Sequence, residues 1–304
     1  MLLVKIFGTI ILIYLLGLAL CPKGIFLYEI LRIPLWLPKL YAAPRRPMLE
    51  QRHRYGTHRR QYILEFAPPP GHPTKELVIV YIHGGGWMFG SPEMFRANAF
   101  RLTQAGYRVF MPSHRRLPRH FIPHMRQDMV RIMATIRSLM AVEGIGHWPV
   151  ILGGSSSGGH LSALFAFDAS LRKEAGPEAA AIHGLFLLGA PVHLEMMWHS
   201  PPLYLLAGRR NSDRFRNANP YRHLSGPVKL PVLIMHGEND GLVETDSVIA
   251  FAEKLKELNQ AETRLEILPG GNHLDSAGWF RPDAASHRIF FGWLAEVERK
   301  VRLS

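Results

Sequence analysis

Three consecutive serines stand between two pairs of glycines in the stretch GGSSSGG, residues 153–159. Only one register of this stretch fits the pattern G-x-S-x-G, and it selects Ser156. An apolar run precedes the stretch and a helix-like run follows it, which predicts a sharp strand-to-helix turn with Ser156 at its centre. Such a turn strains the central residue and brings its neighbours too close for side chains, hence the glycines. Ordinary glycine-rich turns also show this pattern, so the chain must supply chemical partners before Ser156 is interpreted as a nucleophile.

A serine hydroxyl is a weak nucleophile at neutral pH, so it needs a histidine that is itself oriented by a carboxylate. Asp240 follows the apolar run VLIMHG, and His273 follows the next such run, LEILPG. Each therefore stands in a loop after a predicted strand, at the same edge of the sheet as Ser156. We predict that Ser156 is the nucleophile, that His273 is the general base and then the acid, and that Asp240 fixes the imidazole tautomer.

Both partners also have structural explanations. Asp240 has the side chain of a helix N-cap, and Glu238 and Asp246 are rival carboxylates. Glu238 stands nearer the strand and Asp246 lies inside the following helix, so Asp240 is preferred. His273 is one of sixteen histidines, most of which are expected to be structural or at the surface. It is distinguished by a Gly-Gly-Asn-His turn after a strand, which presents its side chain at the sheet edge.

The tetrahedral intermediate of acyl transfer carries a negative oxygen, which needs N–H donors placed in advance. The stretch YIHGGGWMFG, residues 81–90, has three consecutive glycines after a predicted strand. Without side chains in the way, backbone amides in this loop are free to point inward. We predict an oxyanion hole formed by the amides of Gly85, Gly86 and Ser157. A flexible turn after a buried strand is the alternative explanation of the same glycines.

From residue 61 onward, short apolar runs alternate with amphipathic helical patterns. Such runs predict an α/β fold in which helices cover both faces of a mostly parallel sheet. Residues 191–229 break this alternation and are predicted to form a short cap over the sheet edge where open α/β sheets bind ligands. The predicted strands cover residues 61–66, 77–82, 107–112, 149–154, 183–189, 232–237 and 264–270.

Taken together, HGGGW, GSSSGG, HGENDGLV and GGNH resemble motifs of the α/β-hydrolase superfamily, specifically its HGGG-bearing hormone-sensitive-lipase-like carboxylesterases. The resemblance extends from about residue 62 to the C-terminus. It implies the α/β-hydrolase fold and attack of Ser156 on an acyl carbonyl, after which water releases the acid. It implies no cofactor.

Some residues depart from that family. The stretch SHRRLP is similar to the family's DYRL-P motif, but His114 and Arg115 stand where Asp and Tyr are usual. Ser155 replaces an acidic residue that often precedes the nucleophile. Trp87 and His160 are similar to residues of the formamidase-like branch. These departures leave the triad intact and concern the leaving-group pocket.

We therefore predict a serine carboxylic-ester hydrolase for lipophilic, small to medium acyl esters, with a small-molecule substrate and no cofactor. An amide or formamide hydrolase is one alternative, and a non-catalytic binding protein of the same fold is another. The binding protein is less consistent with the sequence, because the serine, the histidine and the glycines are all present. No metal site is predicted, since Pro123 disrupts the helical face that His120 and His124 would share.

The 304 residues carry a net charge of +12, and nine basic against two acidic residues lie between residues 22 and 62. This cluster follows an apolar run at residues 6–20, which favours a membrane surface over a nucleic acid. We predict an N-terminal membrane anchor or signal anchor over residues 1–45 and a catalytic domain over residues 46–304. The heavier positive flank slightly favours a cytoplasmic catalytic domain; a cleaved signal with export and a buried helix are alternatives.

The single Cys21 excludes an intramolecular disulfide, and the sequence does not specify an oligomeric state.

Overall fold

A computed structural model describes residues 2–41 and 49–302 of the chain. At its centre lies one sheet, in the strand order β1-β2-β4-β3-β5-β6-β7-β8. The pairs β1–β2 and β2–β4 are antiparallel, and all other neighbours in the sheet are parallel. The strands are β1 (Leu49–Arg54), β2 (Tyr62–Ala67), β3 (Val78–Ile82), β4 (Arg108–Pro112), β5 (Val150–Ser155), β6 (Gly184–Leu188), β7 (Val232–Gly237) and β8 (Thr263–Leu268).

Helices cover both faces of the sheet. Within β3, Val80 faces one hydrophobic cluster and Tyr81 faces the other, as the two-residue period of a strand requires. The helices are α1 (Leu2–Leu20), α2 (Phe26–Tyr41), α3 (Arg96–Gln104), α4 (Ile122–Val142), α5 (Ser157–Phe167), α6 (Ala169–Ala175), α7 (Pro177–Ala180), α8 (Pro201–Ala207), α9 (Asp213–Ala218), α10 (Pro220–His223), α11 (Thr245–Leu258), α12 (His273–Ala277) and α13 (Ala285–Arg302). Buried residues of α4, α5 and α11 pack on one face, and those of α3 and α13 pack on the other.

This architecture confirms the predicted α/β class with a mostly parallel sheet. Each of the seven apolar runs overlaps a strand whose ends differ from the prediction by at most two residues. The edge strand β1 was not predicted. Its sequence, LEQRHR, lies largely exposed at the edge of the sheet, so it has none of the apolar residues that mark a buried strand.

The predicted single N-terminal membrane anchor is wrong. Among residues 2–41 and 49–302, no helix is both long enough and apolar enough to span a membrane. The chain turns after α1, and α2 packs against the rest of the fold, where Tyr28 is buried. The Trp36 ring contacts Phe95 and Phe280 at centroid distances of 6.3 and 6.2 Å. The predicted boundary at residues 45 and 46 lies outside the described residues.

The segment 191–229 contains three short helices, α8 to α10, joined by irregular chain. Leu203, Leu206 and Phe215 from this segment are fully buried in the cluster that α4 and α5 also form. These contacts account for the segment's mixture of aromatic and aliphatic residues. Its interpretation as a cap stays a prediction.

Candidate active site

Ser156 lies at the sharp turn between β5 and α5. Its φ angle is +51°, in the left-handed region that residues other than glycine rarely adopt. The Ser156 N–H donates to the carbonyl of Leu188 at 2.8 Å, and this bond fixes the turn against the end of β6. A Cβ atom at Gly158 would lie 2.1 Å from the carbonyl oxygen of Ile82. The turn therefore requires glycine beside the serine, as the GGSSSGG pattern predicted.

His273 and Asp240 contact each other across two loops. His273 is the first residue of α12, after β8, and Asp240 lies in the loop after β7. His273 Nδ1 and Asp240 Oδ2 are 2.8 Å apart. The other carboxylate oxygen accepts the N–H groups of Leu242 and Val243 at 2.9 and 3.0 Å. The backbone thus orients the carboxylate, and the carboxylate orients the imidazole.

The charges in this pair shift both pKa values in the direction that favours ionisation. Burial opposes protonation of His273, but the Asp240 carboxylate and, more weakly, Glu29 outweigh it and raise the pKa of His273. Burial also disfavours the Asp240 carboxylate, yet the neighbouring His273 and His236 lower its pKa. His236 itself has a lowered pKa because it is buried. Asp240 therefore stays ionised, as a residue that stabilises an imidazolium must.

Ser156 and His273 approach each other at the end of β6. Leu188 accepts the Ser156 N–H, and a Cβ atom at the next residue, Gly189, would lie 3.3 Å from the His273 ring. Within the part of the chain that the structure describes, no hydrogen bond joins the Ser156 hydroxyl to His273. The structure thus brings the three predicted residues to one edge of the sheet and pairs two of them directly.

We call residues 83–90 the oxyanion loop. Its Gly84 borders Ser156, because a Cβ atom on Gly84 would lie 3.4 Å from the Cβ of Ser156. Gly85 has a φ angle of +136°, and a Cβ atom on it would lie 2.4 Å from the Phe89 carbonyl oxygen, so only glycine fits. Ser157 is the first residue of α5, so its N–H has no acceptor within the helix. The predicted donors thus come from a glycine-dependent loop and a helix N-terminus.

Comparison with known proteins identifies the family of this chain. Residues 64–255 match the BD-FAE family. The chain belongs to the BD-FAE family. Esterase LipC of Mycobacterium tuberculosis is 26% identical over an alignment of 274 residues, which covers 82% of this chain and 67% of LipC. The probable carboxylic ester hydrolase LipM of the same organism is 24% identical and matches 64% of this chain and 48% of LipM.

Among solved structures, the fold is similar to that of esterase B from Lactobacillus rhamnosis inhibited by a tributyrin phosphonate. The TM-score is 0.70 at 19% identity, and the match covers 90% of this chain and 95% of esterase B. The predicted α/β-hydrolase fold is confirmed, and the predicted carboxylesterase-type hydrolase is confirmed at the level of the family. The chain spans about half to two thirds of the length of these mycobacterial relatives. The BD-FAE match includes Ser156 and Asp240, whereas His273 lies beyond it.

Glu29 lies before the segment that matches the BD-FAE family, yet its side chain contacts the candidate site. In the sequence, Glu29 is only one of the two acidic residues between residues 22 and 62. It lies on α2 and is fully buried. Its Oε1 accepts the N–H of His273 at 2.9 Å and that of Gly241 at 3.2 Å, so one carboxylate joins the two loops that carry His273 and Asp240. Burial raises the pKa of Glu29 against the opposing effect of His273. A single acid within the apolar stretch GIFLYEILRIPL is the sequence signal for such a buried role.

Trp87 and His160, which distinguish the chain from the common family pattern, contact each other. Trp87 Nε1 donates to His160 Nδ1 at 3.1 Å, so the ring proton of His160 is on Nε2, 2.7 Å from the Ala218 carbonyl. Burial lowers the pKa of His160 to about 4 and keeps the ring neutral. This pair therefore fastens the oxyanion loop to α5 and to the segment 191–229.

His114 and Arg115, the other departures, are also held by structural contacts. His114 is buried and stacks on His83 at a centroid distance of 5.2 Å. Arg115 forms an ion pair with the buried Asp128 at 2.9 Å, and its backbone N–H donates to the same carboxylate. Packing explains both side chains, so neither is a free binding group.

Proposed function

We propose that this protein is a serine carboxylic-ester hydrolase that acts on lipophilic, small to medium acyl esters through Ser156, His273 and Asp240. The observation that carries the proposal is the hydrogen bond between His273 and Asp240, at the sheet edge where Ser156 occupies a strained turn. The esterase relatives and the phosphonate-inhibited esterase support the same chemistry.

In the proposed mechanism, the Ser156 hydroxyl oxygen attacks the acyl carbonyl carbon while His273 Nε2 takes the hydroxyl proton. The carbonyl oxygen becomes negative and accepts hydrogen bonds from the amides of Gly85, Gly86 and Ser157. His273 then protonates the leaving alcohol, and the acyl group remains on Ser156. Water, deprotonated by His273, attacks this acyl-enzyme, and Ser156 leaves with the proton as the acid departs.

The amide and formamide alternative receives no separate support from the structure. The residues that suggested it, Trp87 and His160, bond to each other and to the Ala218 carbonyl. Their contacts explain why a tryptophan and a histidine stand at these positions without a role in amide recognition. The ester proposal therefore needs no second candidate beside it.

Hydrolysis of para-nitrophenyl butyrate tests the proposal. Replacing Ser156 with alanine removes the nucleophile and is expected to lower kcat/KM by at least ~10³-fold. Ser155→Ala is the matched control, because Ser155 lies next to it and bonds to Tyr81 at 2.6 Å rather than to the triad. The control should retain activity within about tenfold of the native protein. A Ser156→Ala protein as active as the control would refute the assignment of the nucleophile.

A further inference from the structure

A basic pocket opens beside the oxyanion loop. Its volume is about 360 Å³. None of the described residues that line the pocket is acidic. The lining consists of arginines, histidines and apolar residues such as Met88. The basic side chains are His58, Arg59, Arg60, Arg116, Arg119 and His120.

The four arginines of this basic pocket have no ion-pair partner in the part of the chain that the structure describes. Burial and the charge of Arg60 lower the pKa of Arg116 to about 10, and burial together with Arg59 lowers the pKa of Arg60. The carboxylate of Asp128 interacts electrostatically with the two histidines of the pocket. This carboxylate is already bonded to other side chains. A bound anion would therefore relieve repulsion that the fold leaves in place.

The basic pocket is joined to the oxyanion loop by three contacts. Met88, which belongs to that loop, forms part of the pocket wall. Leu117, another wall residue, donates its N–H to the Trp87 carbonyl at 3.0 Å. The Arg116 guanidinium donates to the carbonyl of Gly90. A group held in the pocket thus lies against the loop that borders Ser156.

We infer that the basic pocket binds an anionic group, a carboxylate or a phosphate, that is covalently part of the ester substrate. Arginine guanidinium groups present paired N–H donors that match the oxygens of both anions. The pocket volume is at the small end of ligand pockets, which suits the charged end of a substrate whose ester lies beside the oxyanion loop. The inference rests on the proposed function and narrows its substrate class to esters that combine a lipophilic part with one anionic group.

Matched ester pairs test the inference. On the acyl side, the mono-para-nitrophenyl ester of glutaric acid is compared with para-nitrophenyl valerate, which carries a methyl group in place of the terminal carboxylate. On the alcohol side, para-acetoxybenzoate is compared with its methyl ester. The measured quantity is the ratio of kcat/KM for the charged ester to that for the neutral ester. We expect the native protein to favour the charged member of at least one pair.

Two double variants locate the effect. Arg59→Gln with Arg119→Gln removes two exposed pocket charges and spares Arg116, which bonds to the oxyanion loop. Arg172→Gln with Arg288→Gln removes two exposed charges that do not line the pocket and leaves the same net charge. We expect the charged-to-neutral ratio to fall by about tenfold in the pocket variant and to stay at the native value in the control.

Four results would overturn the inference. If neutral esters are hydrolysed and the ratio is the same in all three proteins, the pocket does not recognise substrate and the proposed function stands. An equal fall in both double variants would indicate overall charge instead of the pocket. Inhibition by inorganic phosphate without any preference for charged esters would indicate a site for free anions. If no ester is hydrolysed and Ser156 is not labelled by a fluorophosphonate, the proposed function fails and the inference fails with it.

Discussion

At the residue scale, sequence spacing was informative because the chemistry of a triad restricts both residue type and location. The spacing favoured Asp240 over Glu238 and Asp246 as the carboxylate of the triad. In the structure, Asp240 forms a hydrogen bond with His273, whereas Glu238 accepts the N–H of Gly270. The sequence did not reveal the role of Glu29, because its partners are backbone amides that lie more than 200 residues away along the chain. The catalytic roles of Ser156, His273 and Asp240 stay predictions that kinetics must test.

The pH dependence of kcat/KM tests the role of Asp240. His273 acts as a base only when neutral, so kcat/KM should fall as the pH drops through the raised pKa of His273. Asp240→Asn removes the charge that contributes most to raising this pKa. The acidic limb should therefore move to lower pH, and kcat should fall by ~10²- to 10⁴-fold because the imidazolium loses its partner.

Glu238→Gln is the matched control for this profile. Glu238 lies two residues from Asp240 but bonds to the loop after β8 instead of to the imidazole. The acidic limb of the kcat/KM profile of Glu238→Gln should coincide with that of the native protein. If Asp240→Asn keeps the acidic limb of the native pH profile and the native kcat, another group orients His273.

For the secondary-structure elements, apolar periodicity located the strands that build the sheet. It did not show what the N-terminal helices pack against. An apolar helix beside basic residues has the same pattern whether it enters lipid or packs on a protein surface. Here Glu29 of α2 is buried against the loops that carry His273 and Asp240, and Tyr14 of α1 donates to the Leu31 carbonyl of α2 at 2.7 Å. Hydropathy alone does not reveal such tertiary contacts.

Replacing Glu29 tests whether α2 supports the active site. Glu29→Ala leaves the buried N–H group of His273 and the half-buried N–H group of Gly241 without this acceptor, which should cost about 1–3 kcal/mol in the free energy of unfolding. The displaced imidazole should lower kcat by about tenfold or more, with a smaller effect on KM. Glu29→Gln keeps an acceptor oxygen and should recover part of kcat.

Glu257→Ala is the control, because Glu257 is exposed on α11, between the loops that carry Asp240 and His273 but in neither of them. It should match the native protein in kcat and in unfolding midpoint. If Glu29→Ala shows the same kcat as this control, α2 does not position the triad. A loss of stability with native kcat would assign Glu29 to the fold alone.

At the scale of the whole molecule, the parallel sheet brings residues from distant parts of the sequence to one edge. The loops after β5, β7 and β8 provide Ser156, Asp240 and His273, and the loop after β3 provides Gly85. This arrangement was predictable because parallel strands share a carboxyl edge. The grouping of the basic residues was not, since Arg59 meets Arg119 only after the chain has folded.

Mass spectrometry of the intact protein after reaction with a fluorophosphonate probe tests the assignment of Ser156 as the nucleophile. We expect one adduct on the native protein, located by peptide mapping on Ser156, because the proposed base and oxyanion hole lie beside this serine only in the folded chain. The unfolded protein should acquire no adduct. A native protein that does not react, or an adduct on Ser155 or another residue, would refute the assignment.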